Sequence, residues 1–104
     1  MVTKDEIMEK LAQVIDPELG ISIVDMGLIY EVKVDEKEEG QTQKAWIKMT
    51  FTTPACPMMN MMLEDVKGKL EELPDLDIEL TITFEPLWKP EMMSQKAKMK
   101  LGII

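Results

Sequence analysis

Histidine and arginine are both absent from this chain of 104 residues. Without histidine there is no Ser-His-Asp or Cys-His pair, no two-histidine zinc site and no two-histidine-one-carboxylate triad. Without arginine there is no bidentate fork for phosphate, and twenty acids against twelve lysines leave a net charge of −8. Nucleic-acid binding relies on a basic surface that this balance excludes. Cys56 is the single cysteine, which rules out an internal disulfide framework and fits a reducing compartment. No apolar run approaches the ~18 residues of a membrane span. The stretch 1–6, MVTKDE, lacks the apolar segment of a signal peptide. A cytoplasmic protein with neither membrane nor nucleic-acid partner is the expectation. The five glycines, at 20, 27, 40, 68 and 102, form neither a GxxxxGK phosphate loop nor GxGxxG. Most hydrolase, kinase and dehydrogenase chemistries fall away here.

What is present suffices for one packed domain over residues 1–104. Hydrophobic residues make up 45% and charged residues 31%, enough to bury a core. There is no repeat and no low-complexity linker. Thr3 and Glu6 have the spacing of a capping box, in which hydroxyl and carboxylate each satisfy a free backbone N–H. Ile7, Leu11, Val14 and Ile15 follow at i, i+4, i+7 and i+8, so the first helix is expected to continue until Pro17 stops it.

Residues 28–34 alternate, with Leu28, Tyr30, Val32 and Val34 on one side. Residues 44–52 repeat the pattern with Ala45, Ile47, Met49 and Phe51 inward. The polar loop DEKEEGQTQ, which carries Gly40, joins them as an antiparallel hairpin. A second helix is expected from about Pro57 to Leu73, burying Met59, Met62, Leu63, Val66, Leu70 and Leu73, with Pro74 as its stop. Residues 76–84 read as the cleanest strand. PLWKPEMM reads as a loop, and Ser94 caps a short last helix ending before Gly102. The order is α-β-β-α-β-α. Such elements build an α/β (α+β) two-layer sandwich, a small three-stranded sheet with helices on one face. The strand after the helical crossover should run parallel to the one before it.

Several groups of residues invite a functional reading. Pro57 suits the first helical position, which makes Cys56 the cap residue facing the positive helix end. Such a place favours thiolate over thiol and lowers the cysteine pKa below its free value of ~8.5. The residues alone leave two readings of Cys56: a reactive or ligating sulfur, or a small buried hydrophobe. Asp16-Pro17-Glu18 is either a pair of carboxylates free to ligate or, with Gly20, ordinary turn chemistry. Eleven methionines are several times the usual share. Most fill core space, but Met61 falls about 140° from the apolar stripe at ~100° per residue. Beside Cys56 it marks a partner surface or, with its neighbours, a soft Cu(I) site. Trp46, on the outer strand face with Lys44, Lys48 and Thr50, is packed by its lysines or anchors an interface. Trp88 sits in a stiff loop and is placed to fold over the sheet edge. Lys96, Lys98 and Lys100 are a solvated last turn or a docking site.

Taken together, DPELGISIVDMGLIY (16–30), TTPACP (52–57) and WKPEMMSQKAKMKLGI (88–103) resemble the PaaD-like and SufT-like family of metal–sulfur cluster biosynthetic proteins, the iron–sulfur assembly family. The three blocks stand in the family's order. The resemblance implies a domain like the C-terminal domain of NifU-type scaffolds and a role in maturing iron–sulfur proteins. By the same resemblance Cys56 is the motif cysteine, Asp16, Pro17 and Glu18 are the acidic loop, and Thr53, Trp88, Pro90, Met93 and Ser94 are the remaining motif positions. Some relatives fuse this domain to a P-loop ATPase, and this chain carries no such loop.

Three classes of function follow. The first is a non-enzymatic factor that assists cluster assembly or delivery to apoproteins, with Cys56 as a transient ligand or contact and no catalytic residue. Common clusters take four thiolates, so any bound cluster is transient or shared with a second protomer, a partner or non-protein thiols. Partners are then assembly proteins and client apoproteins, with a second copy of the chain in a homodimer as a further option. The second is an adaptor or interaction module for an oxygenase or another multiprotein complex, without cluster binding. The third is a thiol enzyme with Cys56 as nucleophile, which lacks a histidine base.

Overall fold

The first helix, α1 (Lys4–Leu11), opens with the expected capping box. The Glu6 N–H donates to Thr3 Oγ1 and the Thr3 N–H donates to Glu6 Oε1, both at 3.2 Å. This computed structural model describes residues 2–17, 19–35, 42–52, 59–73 and 76–102. Gly40, Pro57, Pro74 and Ile103 therefore lie outside the described residues, as do Glu18, Thr53 and Cys56.

Helix α1 does not reach Pro17. It closes through the Gln13 N–H to Lys10 carbonyl and Val14 N–H to Leu11 carbonyl bonds, both 3.1 Å. The chain then turns into β1 (Ile15–Asp16), which pairs antiparallel with β2 (Ile21–Ser22) as a two-stranded sheet. This small hairpin was not expected from the sequence. It takes over because the Val14 carbonyl accepts from the Ile23 N–H at 3.0 Å, a partner that a longer helix would forfeit. Val14 is still buried, whereas Ile15 is 45% exposed. The helical spacing was right for one residue and misleading for the next.

The second sheet has the order β3-β4-β5, formed by β3 (Ile29–Val34), β4 (Gln43–Met49) and β5 (Leu76–Ile82). β3 and β4 are antiparallel, and β4 and β5 parallel, as the helical crossover requires. The crossover contains α2 (Met59–Leu70), and α3 (Gln95–Lys100) ends the described chain. Three helices and two small sheets among the described residues make this a small α+β protein, with a 3₁₀ turn at Pro90–Met92 inside the expected loop.

β4 is the central strand, and Ala45, Ile47 and Met49 are all within 1% of complete burial. They share one core with Ile7 and Leu11 of α1, Met62, Val66 and Leu70 of α2, and Ile23, Met26 and Leu28 from the chain before β3. Met59 and Leu63, expected on the same stripe of α2, are only partly buried at its margin. Glu31, Lys33, Lys44, Lys48, Asp77 and Glu79 occupy the opposite, solvent-facing side of the sheet. Lys10 bridges the helices, its Nζ lying 2.9 Å from Glu72 Oε1 just beyond α2.

Four expectations within the sheet are corrected. Gln43, expected in the polar loop, begins β4 and is buried. Its amide accepts from the Val2 N–H at 2.8 Å and donates to the Val2 carbonyl at 2.7 Å, as a neighbouring strand would. Thr50 is buried rather than outward-facing, because its N–H pairs with the Leu28 carbonyl beyond the end of β4. Tyr30 does not follow the inward alternation. The register shifts between Ile29 and Glu31, so Ile29 stands opposite Met49 and Tyr30 is the extra residue. Its hydroxyl donates to the Pro86 carbonyl at 2.8 Å and reaches Met92 Sδ at 3.5 Å. β5 also stops two residues before Phe84, although the Thr83 N–H still donates to the Met49 carbonyl.

Two glycines give opposite expectations. Gly27 has φ +76°, and a Cβ there would overlap the Met92 carbonyl. Gly27→Ala should cost about 2–4 kcal/mol, the left-handed penalty plus a backbone clash. Gly68 lies inside α2, where an added Cβ would meet open space, so Gly68→Ala should stabilise by about 0.5–1 kcal/mol. Urea denaturation of both variants checks the pair.

A pH dependence follows from the helix bridge. The hydrogen bond from Lys10, and then its charge, hold the Glu72 carboxyl below its ordinary value. A carboxylate whose pKa falls on folding stabilises the protein above the unfolded pKa and loses that contribution as pH drops through the folded value. Lys10→Gln should therefore flatten the acid limb of a stability–pH curve, at neutral pH costing little, since Glu72 is exposed.

Candidate functional site

The turn joining β2 to β3 is where distant parts of the chain meet. It is wound by its own hydrogen bonds. Ser22 Oγ accepts from the Asp25 N–H at 3.2 Å, the Ser22 carbonyl accepts from the Met26 N–H at 3.0 Å, and the Ile23 carbonyl accepts from the Leu28 N–H at 3.1 Å. That leaves the carbonyls of Asp25, Met26 and Leu28 to bind outward, and each does so.

The Trp88 indole N–H donates to the Met26 carbonyl at 2.7 Å. The Ser94 N–H donates to the Asp25 carbonyl at 2.7 Å. The Thr50 N–H donates to the Leu28 carbonyl at 2.8 Å, two residues before the TTPACP block begins. Trp88 is half-buried against the core, as a tryptophan with its N–H satisfied can be. Pro90 opens the 3₁₀ turn, whose last bond runs from the Met93 N–H to the Pro90 carbonyl. Met93 is buried in the core, and Ser94 Oγ caps α3 by accepting from the Ala97 N–H.

Asp16 sits at the end of β1, where its Oδ1 accepts from the Leu19 N–H at 3.2 Å and its carbonyl accepts from the Gly20 N–H at 2.8 Å. This is turn chemistry at the tip of the small hairpin. The tip is tied to α3, because Lys100 Nζ donates to the Gly20 carbonyl at 2.9 Å. Between them lies a cleft of about 340 Å³ lined by Ile15, Gly20, Asp25, Lys96 and Lys100, among others. Met61, on α2 close to the end of the TTPACP block, is 46% exposed. Trp46 lies between lysines on the outer sheet face, with Lys44 Nζ 5.9 Å from its ring centre.

The structure thus brings Asp16, Trp88, Pro90, Met93 and Ser94 around one turn and its adjoining hairpin. Met61 and Trp46 stand on other surfaces. Glu18, Thr53 and Cys56 fall outside the described residues, and among the described residues no three His, Cys, Asp or Glu side chains gather as a metal site. Sequence reasoning missed Asp25, Met26 and Gly27 as the connecting element. The one available signal was a glycine directly ahead of an alternating run, which marks a turn. Bonding by backbone carbonyls leaves no trace in residue type.

Comparison with known proteins decides the family. The profile described as iron–sulfur cluster assembly protein matches residues 4–79. The chain belongs to that family. It is 44% identical over 101 residues to the Fe-S protein maturation auxiliary factor YitW of Bacillus subtilis, an alignment covering 96% of this chain and 94% of that one. It is 45% identical over 91 residues to the Fe-S protein maturation auxiliary factor SufT of Staphylococcus aureus, covering 86% and 98%. The crystal structure of a domain of unknown function, DUF59, from Bacillus anthracis superposes with a TM-score of 0.84 at 40% identity, covering 97% of this chain and 92% of that one. The family match contains Asp16, Glu18, Thr53, Cys56 and Met61. Trp88 to Ser94 lie beyond residue 79 and within the longer alignments.

The two faces of α2 make a direct check on the site's geometry. Met61→Ala should change stability by less than about 0.5 kcal/mol, as surface substitutions do. Val66→Ala, at a fully buried position, should cost roughly 1–3 kcal/mol through lost burial and a cavity. Thermal unfolding of the two variants side by side reads the difference.

Proposed function

We propose that this protein is a non-catalytic factor that assists the assembly or delivery of iron–sulfur clusters to apoproteins, with Cys56 as a transient ligand or contact. The observation that carries the reading is the convergence on one turn. Bonds to the carbonyls of Asp25, Met26 and Leu28 join the first and third of the sequence blocks that resemble the family to the strand end that leads into the second. Relatives named as Fe-S protein maturation auxiliary factors support the same role.

The cluster is cargo in this reading, not a resident cofactor. One cysteine in the chain cannot supply the four thiolates of a common cluster. Any cluster is therefore held briefly, with the remaining ligands from a second protomer, a partner protein or small thiols. The proposed fold assignment is a single NifU C-terminal-like domain over residues 1–104. Asp16, at the end of β1, and Glu18 are proposed to face the same partner as Cys56, with Thr53, Trp88, Pro90, Met93 and Ser94 shaping that surface. The partners are assembly proteins and client apoproteins in a reducing, cytoplasmic setting that keeps Cys56 a thiol.

An interaction module that never touches a cluster is the second reading, favoured by the exposed Met61 on the helix that follows the Cys56 block. Complementation separates the two. Serine replaces the soft sulfur with a harder, far less acidic oxygen yet serves well as a helix cap. Cys56→Ser should stay soluble and folded but fail to restore iron–sulfur enzyme activity in a strain lacking the protein. Glu18→Ala should restore it only in part. Full rescue by Cys56→Ser would eliminate the ligand role, and a thiol-enzyme role with it, and leave the interaction module.

A further inference from the structure

The open edge of the three-stranded sheet is unlike its centre. The inward residues of β4 are sealed, but the matching residues of β5, Leu76, Ile78, Leu80 and Ile82, are all half-buried. β5 pairs with β4 in an unbroken register from Gln43 opposite Leu76 to Met49 opposite Ile82. The Thr83 N–H points to β4, and alternation along a strand then turns the N–H and C=O groups of Ile78 and Leu80 to the other side. Among the described residues none bonds to them there. Of the usual protections of an edge, β5 has no proline, no lysine and no bulge, only the outer-face carboxylates Asp77 and Glu79, whereas the opposite edge strand β3 has both a bulge and Lys33. Beside this edge runs a groove of about 330 Å³ between β5 and α2, with an apolar floor of Leu70, Leu76, Ile78 and Leu80 and with Lys67 and Glu71 also lining it.

We propose that β5 accepts an extended segment of a partner protein as a fourth strand, one that alternates apolar and basic residues. The alternation follows from the two faces. Side chains on the inner face of an added strand would drop into the apolar groove, and those on the outer face would lie beside Asp77 and Glu79. Charge selects the occupant. A second copy pairing through its own β5 would bring two further carboxylates beside Asp77 and Glu79, whereas a lysine-bearing strand would meet those two from the side that Lys44 and Trp46 of β4 leave open. The inference is independent of Cys56 and of the maturation reading.

The test uses the full-length protein and three acetylated nine-residue peptides: alternating valine and lysine, alternating valine and glutamate, and the valine–lysine sequence with two central prolines. Amide hydrogen exchange by NMR is the readout. The valine–lysine peptide should slow exchange at Ile78 and Leu80 at least tenfold, and the other two should not. Asp77→Lys combined with Glu79→Lys should abolish the protection and transfer preference to the valine–glutamate peptide. Asp5→Lys combined with Glu9→Lys, a similar charge change on α1, should leave it intact. Protection at Ile78 and Leu80 without peptide, whether in monomer or dimer by sedimentation, would overturn the proposal. So would equal protection by all three peptides, or none at millimolar concentration.

Discussion

The close approach of Gly27 to the Met92 carbonyl is the contact on which the arrangement of the site depends. Only a residue without a Cβ lets the turn before β3 and the segment after β5 come this near. Once they do, Trp88 and Ser94 reach the carbonyls of Met26 and Asp25, and α3 is fixed with Lys100 over the hairpin tip. Tyr30 adds a further tie from its bulge position to Pro86. Van der Waals distance and hydrogen bonds to main-chain carbonyls hold the candidate surface together.

Most of the regular structure was legible in the sequence because its signals were local. Thr3 and Glu6 set the start of α1, the alternation in 44–52 and 76–84 set β4 and β5, and the stripe through Met62, Val66 and Leu70 set the buried face of α2. The failures share one cause. Ile15, Gln43, Thr50 and Tyr30 each answer to a partner distant in sequence or outside their own element: the β2 strand, Val2, Leu28 and Pro86. A pattern read along one segment cannot register a competing hydrogen bond from elsewhere. The candidate site divides in the same way. Its blocks were visible as words in the sequence, but the turn that gathers them acts through main-chain carbonyls, which any residue carries.

Chemistry and scaffold are also separable here. The described part of the site is bonded through main-chain carbonyls, whereas the lowered carboxyl of Glu72 lies at the helix bridge. In the proposed role, with one thiol per chain, specificity of transfer would come from which surfaces meet, not from an enclosed cage of ligands. Acidic composition suits that arrangement, since it favours basic partners.

The parallel pairing of β4 with β5 has a consequence in time. β3 ends at Val34 and β4 begins at Gln43, so the two are near in sequence and can pair as soon as the chain collapses, but β5 must wait for the whole crossover with α2 to be laid down. Contacts of long sequence separation form late and dominate the folding time of small domains. Residues 53–58, with Cys56 among them, lie in that same crossover. The segment proposed to handle the cargo is thus also part of the connection whose closure completes the sheet. During synthesis the sheet can gain its last strand only after the cysteine has already been delivered to its place in the chain.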